Sequence, residues 1–296
     1  MQVPNLFGPL RPPFLLLTPA CVAVGVATAY AQLGHVDAWL ALWVLLGALA
    51  SHASVNAFNE YFDFRSGLDA ITTRTPFSGG SGTLPANPAL ASATLAMAVL
   101  MLAVAALLGL YFVVLRGWAL VPLGLAGLLL VVTYTTWWAH RPLACLVAPG
   151  LGLGLFVIAG THFVLTGEWS RAAVAASVPV ACLVSNLLLL NQFPDVEADR
   201  TVGRHNVAID WGRPAAARTY ATMMGFAYAS LVAFVLLRWL PAMSLLATLT
   251  LPLAARAVRD VLRHPDNLPA LVPAMRLNVL VNLLTPGLLA VGVATG

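Results

Sequence analysis

Two pairs of oxygen-bearing side chains stand out by their spacing: Asn59 with Asp63, and Asp195 with Asp199, each four residues apart. On a helix that spacing puts both members on one face. Gly67 can turn the chain back, so that Asp69 rejoins the first pair. Two such groups facing each other across a cavity make an oxygen-rich site of the kind that suits Mg²⁺. That ion takes a few carboxylates and completes its shell with water or substrate phosphate. Arg65, Arg74, Arg200 and Arg204 are near neighbours in the chain, and the forked guanidinium matches phosphate oxygens. Carboxylates, a divalent cation and arginine together describe a diphosphate site. A single Asp-x-x-x-Asp is a weak signal; two on the same side of one molecule are a stronger one. A solvated loop would explain the acids but not the repeated spacing.

The elements that carry these residues belong to a membrane. The chain of 296 residues is 60% hydrophobic and 9% charged, against about 25% charged for an ordinary soluble domain. A surface with so few charges meets lipid. The opening stretch to Pro13 lacks a secretory-signal pattern, and the first apolar run reads as a retained helix. A bilayer core takes about 20 apolar residues per helix. Nine runs qualify or nearly so: Phe14–Leu33, Ala38–Phe58, Leu90–Leu115, Ala119–Thr136, Leu143–Leu165, Ala172–Leu190, Ala215–Leu236, Met243–Val258 and Leu277–Thr295. Arg256 and Arg259 close the eighth early. The expectation is an all-α polytopic bundle of about nine transmembrane helices, forming a single domain over residues 1–296.

Orientation follows from arginine, which accounts for all fifteen basic residues. With the N-terminus inside, the inner segments hold twelve of them and the outer segments hold Arg116, Arg171 and Arg238. The absence of lysine, with abundant alanine, points to a GC-rich bacterial genome and a bacterial cytoplasmic membrane. Seven of the eleven carboxylates fall in the segments 59–89 and 192–214. Four spans separate those segments, so parity places both on the cytoplasmic face. The arginines are dispersed, which argues against a nucleic-acid partner. Cys21, Cys145 and Cys182 sit singly in apolar runs and read as buried thiols.

Other residues have less specific readings. Arg74 opens a Gly-rich stretch to Gly82 that lacks the Lys-Ser/Thr ending of a nucleotide loop; it reads as a loop covering substrate, the alternative being a plain connector. Arg141 could pair with diphosphate or serve as an inner-face anchor. Tyr134 could face the reacting substrate or sit in an interfacial belt. His52, about two turns before Asn59, and His162 are substrate-contact candidates set against ordinary packing roles. Pro149 and the glycines up to Gly154 would loosen their helix or admit a neighbour closely.

The stretch from Asn59 through Asp63 and Gly67 to Asp69 resembles the first Asp-rich motif of the UbiA superfamily of intramembrane prenyltransferases. The stretch from Asn191 through Asp195 and Asp199 to Arg204 resembles the second. The spacing of Asp69 from Asp63 is similar to the branch that prenylates 1,4-dihydroxy-2-naphthoate in menaquinone synthesis. Glu60, Gly67 and the Arg204-His205 pair depart from the commoner pattern. The resemblance implies a multi-pass enzyme with its active site facing the cytoplasm. Asp63, Asp69, Asp195 and Asp199 would hold Mg²⁺, with Asp63, Asp195 and Asp199 catalytic. Asn59, Arg65, Arg74, Arg141, Asn191, Arg200 and Arg204 would attend the diphosphate. The partners would be a polyprenyl diphosphate, an aromatic acceptor and the lipid bilayer. Gly67 would leave room near the diphosphate for a wide acceptor ring. Two rivals differ from this reading: a UbiA-like terpene cyclase or non-aromatic prenyltransferase, and a polytopic transporter. A transporter would place ionisable groups near the bilayer midplane, whereas these spans are nearly free of charge.

Overall fold

A computed structural model describes residues 6–296; the first five residues of the opening stretch lie outside it. Among the described residues the regular structure is entirely helical. Nine rods follow one another: α1 (Leu17–Leu33), α2 (Ala38–Ser66), α3 (Pro88–Arg116), α4 (Trp118–Thr133), α5 (Pro142–Thr166), α6 (Arg171–Asn191), α7 (Arg213–Leu236), α8 (Ala242–Thr250 running into Leu251–Arg263) and α9 (Leu268–Thr295). Each overlaps one of the nine apolar runs. Six are long and apolar enough to cross a bilayer, and a seventh is formed if α1 is joined to the bent segment Gly8–Leu15 before it. The remaining two are the shorter α4 and the divided α8. In α8 the second half is amphipathic: Ala254, Ala257 and Val261 are buried while Arg256 and Arg259 face out. Large apolar side chains are exposed along α3, as at Leu107 and Val114. Such a surface needs lipid around it, and helices satisfy their own backbone there.

The second rod is longer than its apolar run. At 29 residues it reaches about 43 Å, beyond a hydrocarbon core of about 30 Å. Asp37 caps its start by accepting the amides of Trp39 and Leu40. Its last two turns, past the expected end at Phe58, carry Asn59, Glu60 and Asp63. Gly67 ends it in the left-handed conformation (φ +80°), for which glycine pays no steric cost, and a short helix, Leu68–Ile71, turns back.

The glycines of α5 serve close packing. A Cβ on Gly150 would lie 2.4 Å from the carbonyl oxygen of Ala181, and one on Gly154 2.4 Å from the Ala181 Cα. Helix α6 therefore rests backbone against backbone on α5, whose residues Gly150–Phe156 widen into a π-helical stretch. A cavity lies among α2, α3, α4, α5 and α6.

Candidate active site

The first acid cluster lies at the end of α2. Asp63 and Asp69 are both buried, at 6% and 4% exposure. Gly67 brings Asp69 back toward the helix end as expected, although Gly67 itself is exposed and has no atom near its missing side chain. The expectation that it widens an acceptor pocket is therefore not met: it is a helix cap.

The second cluster departs from a simple continuation of its helix. Helix α6 stops at Asn191, residues 192–195 form turns around Pro194, and a new short helix, Val196–Thr201, starts after Asp195. The amide of Asp199 still donates to the Asp195 carbonyl at 2.8 Å, so the two acids keep one-turn spacing. That short helix ends on Gly203 (φ +74°). The Gly203 amide donates to the Arg200 carbonyl and the Arg204 amide to the Asp199 carbonyl, which is the paired bonding of a Schellman cap. The cap turns Arg204 inward. Its Nη1 donates to Asp199 Oδ1 at 3.0 Å and its Nη2 to Asp63 Oδ1. One guanidinium thus ties the two motifs together, and both clusters share one end of the bundle.

Beneath them opens a cavity of about 670 Å³. Its mouth is polar, with Asn59, Asp63, Asp69, Asn191, Asp195, Asp199 and Arg204 on the wall; its shaft is apolar, running among Gly109, Gly124, Leu153 and Leu187. Burial, then the Glu60 and Asp63 charges, push the Asp69 carboxyl up to about 7. Burial and the charge of Asp199 push Asp195 up to about 7. Asp199 is raised by burial as well, with Arg204 opposing. Burial works against the charge on Arg204, but Asp63 and Asp199 outweigh it and hold the guanidinium above its ordinary range. Asp69 Oδ2, Asp195 Oδ1 and Asn191 Oδ1 are buried without a hydrogen-bond partner. Orphaned acceptors and under-compensated carboxylates at one mouth call for positive charge. The all-oxygen donor set suits a hard divalent cation. Among the described residues no three acid, histidine or cysteine side chains come together as a group that could hold a metal ion by itself, so a cation here would need ligands from outside the chain.

Four arginines expected at the diphosphate sit off the cavity wall. Arg65 is exposed on the last turn of α2. Arg74 folds back to donate to the Asp69 carbonyl at 3.1 Å. Arg141 lies over the Trp137 ring, 4.0 Å from its centroid, and donates to the Trp137 carbonyl. Arg200 makes a surface pair with Glu197. Local partners hold Arg74, Arg141 and Arg200 away from the wall, a matter that proximity in sequence does not reveal. Tyr134 and His52 do line the cavity, and His52 Nδ1 shares a hydrogen bond of 2.8 Å with the Thr18 hydroxyl. His162 is buried against Thr28 instead. The sequence reading missed Arg11, Gln192 and Asn206, which also line the wall. Asn206 faces Asp199 Oδ2 at 3.5 Å. The missed signal for Arg11 was its place just before the first span, where it was counted only as an inner-face charge.

A helical membrane bundle with acids and an arginine at the mouth of an apolar shaft defines a class: polytopic membrane proteins with a polar site closing an apolar cavity. The model of the UbiA prenyltransferase family matches residues 16–280, and the chain belongs to that family, as a membrane-embedded prenyltransferase. It is 27% identical over 283 residues to the 1,4-dihydroxy-2-naphthoate octaprenyltransferase of Bacillus subtilis (strain 168), covering 93% of this chain and 88% of that one. It is 26% identical over 297 residues to the enzyme of the same name from Escherichia coli (strain K12), covering 96% and 93%. Its fold is that of a UbiA homolog from Archaeoglobus fulgidus solved with GPP and Mg²⁺ (TM-score 0.68, 12% identity, 98% of this chain and 99% of that one). A UbiA homolog from Aeropyrum pernix K1 also superposes (TM-score 0.66, 18% identity, 93% and 96%).

Proposed function

We propose that this protein transfers a polyprenyl group from its allylic diphosphate to 1,4-dihydroxy-2-naphthoate or a closely related aromatic acid, with Mg²⁺ as cofactor. One observation carries the reading: two acid clusters, joined by Arg204, close the polar mouth of an apolar cavity. Asp63, Asp69, Asp195 and Asp199 would hold Mg²⁺, which when bound would neutralise the diphosphate and stabilise the charge that develops on it. Arg204 stands between the clusters, where it can meet the same developing charge. The amide oxygens of Asn59 and Asn191 would add neutral metal-ligating oxygens beside the carboxylates. The apolar shaft takes the isoprenoid tail and keeps water from the allylic carbon. A ring carbon of the acceptor bonds that carbon as its C–O bond breaks and the electron pair leaves with diphosphate. Loss of the ring carboxylate as CO₂ then restores aromaticity. Tyr134 and His52 line the region below the mouth, where the acceptor ring would lie.

The names of the two relatives support the naphthoate acid as acceptor. The arginine bias supports a mouth that opens to the cytoplasm, and the bacterial relatives support a bacterial cytoplasmic membrane. The test is competition: protein in lipid nanodiscs, one polyprenyl diphosphate, Mg²⁺, and equal dihydroxynaphthoate and 4-hydroxybenzoate, with products read by mass spectrometry. Prenylated naphthoquinol should dominate. Dominance of prenylated hydroxybenzoate, or of cyclised hydrocarbon, overturns the acceptor assignment.

A further inference from the structure

Glu60 is completely buried, and it differs from the other acids at the mouth. Asp69 and Asp195 each keep an oxygen without a partner; Glu60 keeps none. Its Oε2 accepts from Arg11 Nε at 3.3 Å and Nη2 at 3.1 Å, and both oxygens accept from the Ser81 amide at 3.1 Å. The Ser81 hydroxyl donates to Oε1 as well. Three segments far apart in sequence therefore meet on one carboxylate: the end of α2, the turn before α1, and the Gly-rich loop.

That loop is seated on the mouth. Phe77, Ser78, Gly79 and Gly80 line the cavity. A Cβ on Gly80 would stand 2.9 Å from Asp69 Oδ1 and 3.6 Å from Arg11 Nη2, so the loop backbone lies directly against the first acid cluster. Gly79, Gly80 and Gly82 all have positive φ, a backbone that glycine adopts without steric cost but that loses much conformational entropy when it orders, so the loop needs a tie to stay closed. Arg11 is itself held at φ +50°, uncommon for a residue with a side chain. The loop has its own turn, with the Thr75 hydroxyl accepting the amides of Phe77 and Ser78. Glu60 is the tie between its far end and the bundle.

We propose that Glu60 is a positioning residue, a clasp that holds the Gly-rich loop closed over the diphosphate end of the cavity through Ser81 and Arg11, and not a ligand of the cation. The inference rests on the prenyl-transfer reading above. With both oxygens saturated by donors, Glu60 has none to offer a metal. A closed loop keeps water from the allylic carbon during transfer. With the clasp broken, water competes with the acceptor: its oxygen bonds the allylic carbon, the C–O electron pair leaves with diphosphate, and a proton passes to solvent, giving prenyl alcohol.

The test compares wild type, Glu60→Gln, Glu60→Asp and Ser81→Ala in nanodiscs. In Glu60→Gln the KM for the prenyl diphosphate should rise about tenfold, the worth of one charge-assisted hydrogen bond. Prenyl alcohol should appear beside the transfer product, and Glu60→Asp should recover part of both losses. Amide hydrogen exchange of residues 75–82 should quicken while that of α2 stays unchanged. Ser81→Ala, which deletes one hydroxyl from a partly buried loop, should show the same pattern more weakly, and it carries the test if Glu60→Gln does not accumulate. A fall in kcat with KM, alcohol yield and exchange unchanged would overturn the clasp and make Glu60 part of the chemical machinery. Unchanged values throughout would overturn it too. The exchange measurement needs no substrate, so the clasp is decided separately from the proposed reaction.

Discussion

At the scale of single residues the site is an unbalanced charge cluster. Five acids, Glu60, Asp63, Asp69, Asp195 and Asp199, are gathered around Arg204 and Arg11. Asp63→Asn, Asp195→Asn and Asp199→Asn each remove one negative oxygen from the mouth. Each should lower kcat by about 100-fold or more, the cost of losing one preorganised electrostatic partner, while the protein still inserts and elutes as wild type. Near-normal turnover in any of them removes that residue from the machinery. Arg204 serves stability as well as charge. Arg204→Gln leaves Asp63 and Asp199 buried without their cation, a loss of about 3 kcal/mol on the scale of broken buried pairs. Its melting temperature should fall in metal-free buffer, and Mg²⁺ alone should raise it by more than in wild type, because the two freed carboxylates gain a cation. Equal increments in both proteins would mean that the freed carboxylates do not face the ligand site.

At the scale of elements, two devices place these residues: caps that turn the chain and glycines that let helices touch. Gly67 and Gly203 each end a helix in the left-handed region and send the next residues inward, Asp69 in one case and Arg204 in the other. The α5–α6 contact depends on Gly154, where a larger side chain would strike the Ala181 backbone. Gly154→Leu should push α6 off α5 and destabilise the protein by about 3 kcal/mol, the upper end for overpacking, seen as a lower melting temperature in detergent. Gly225→Ala is the matched control: nothing lies near its Cβ on α7, and it should be neutral or stabilising by about 0.5 kcal/mol, as alanine is the better helix former. Similar melting of both variants would rule out tight α5–α6 packing.

At the scale of the whole molecule, the two motifs must lie on one side of the membrane, since Arg204 bridges Asp63 and Asp199. Reporters fused after Asp69 and after Asp210 should both read cytoplasmic, and one fused after Glu168 should read on the opposite side. Opposite readings for the first two would contradict the bridge. Helix α8 is the test of the span count. Its second half is amphipathic, and it is not among the helices long and apolar enough to cross a bilayer by themselves.

Composition and periodicity were enough for the membrane, for the helical runs and for placing both acid clusters at one end of the bundle, because lipid imposes a coarse and additive rule on every residue it touches. The i, i+4 acid pairs were legible for a similar reason: helical spacing is local. The length of α2 beyond Phe58 was not, since apolar content marks where lipid ends and not where a helix ends. Nor could proximity in sequence tell Arg204, turned inward by the Gly203 cap, from Arg65 and Arg200, left on the surface a few residues from the same acids. Arg11 and Glu60 became site residues only when the fold brought the turn before α1 and the Gly-rich loop to one carboxylate. Which charge ends up buried depends on pairing between distant segments, and that is decided when the bundle closes.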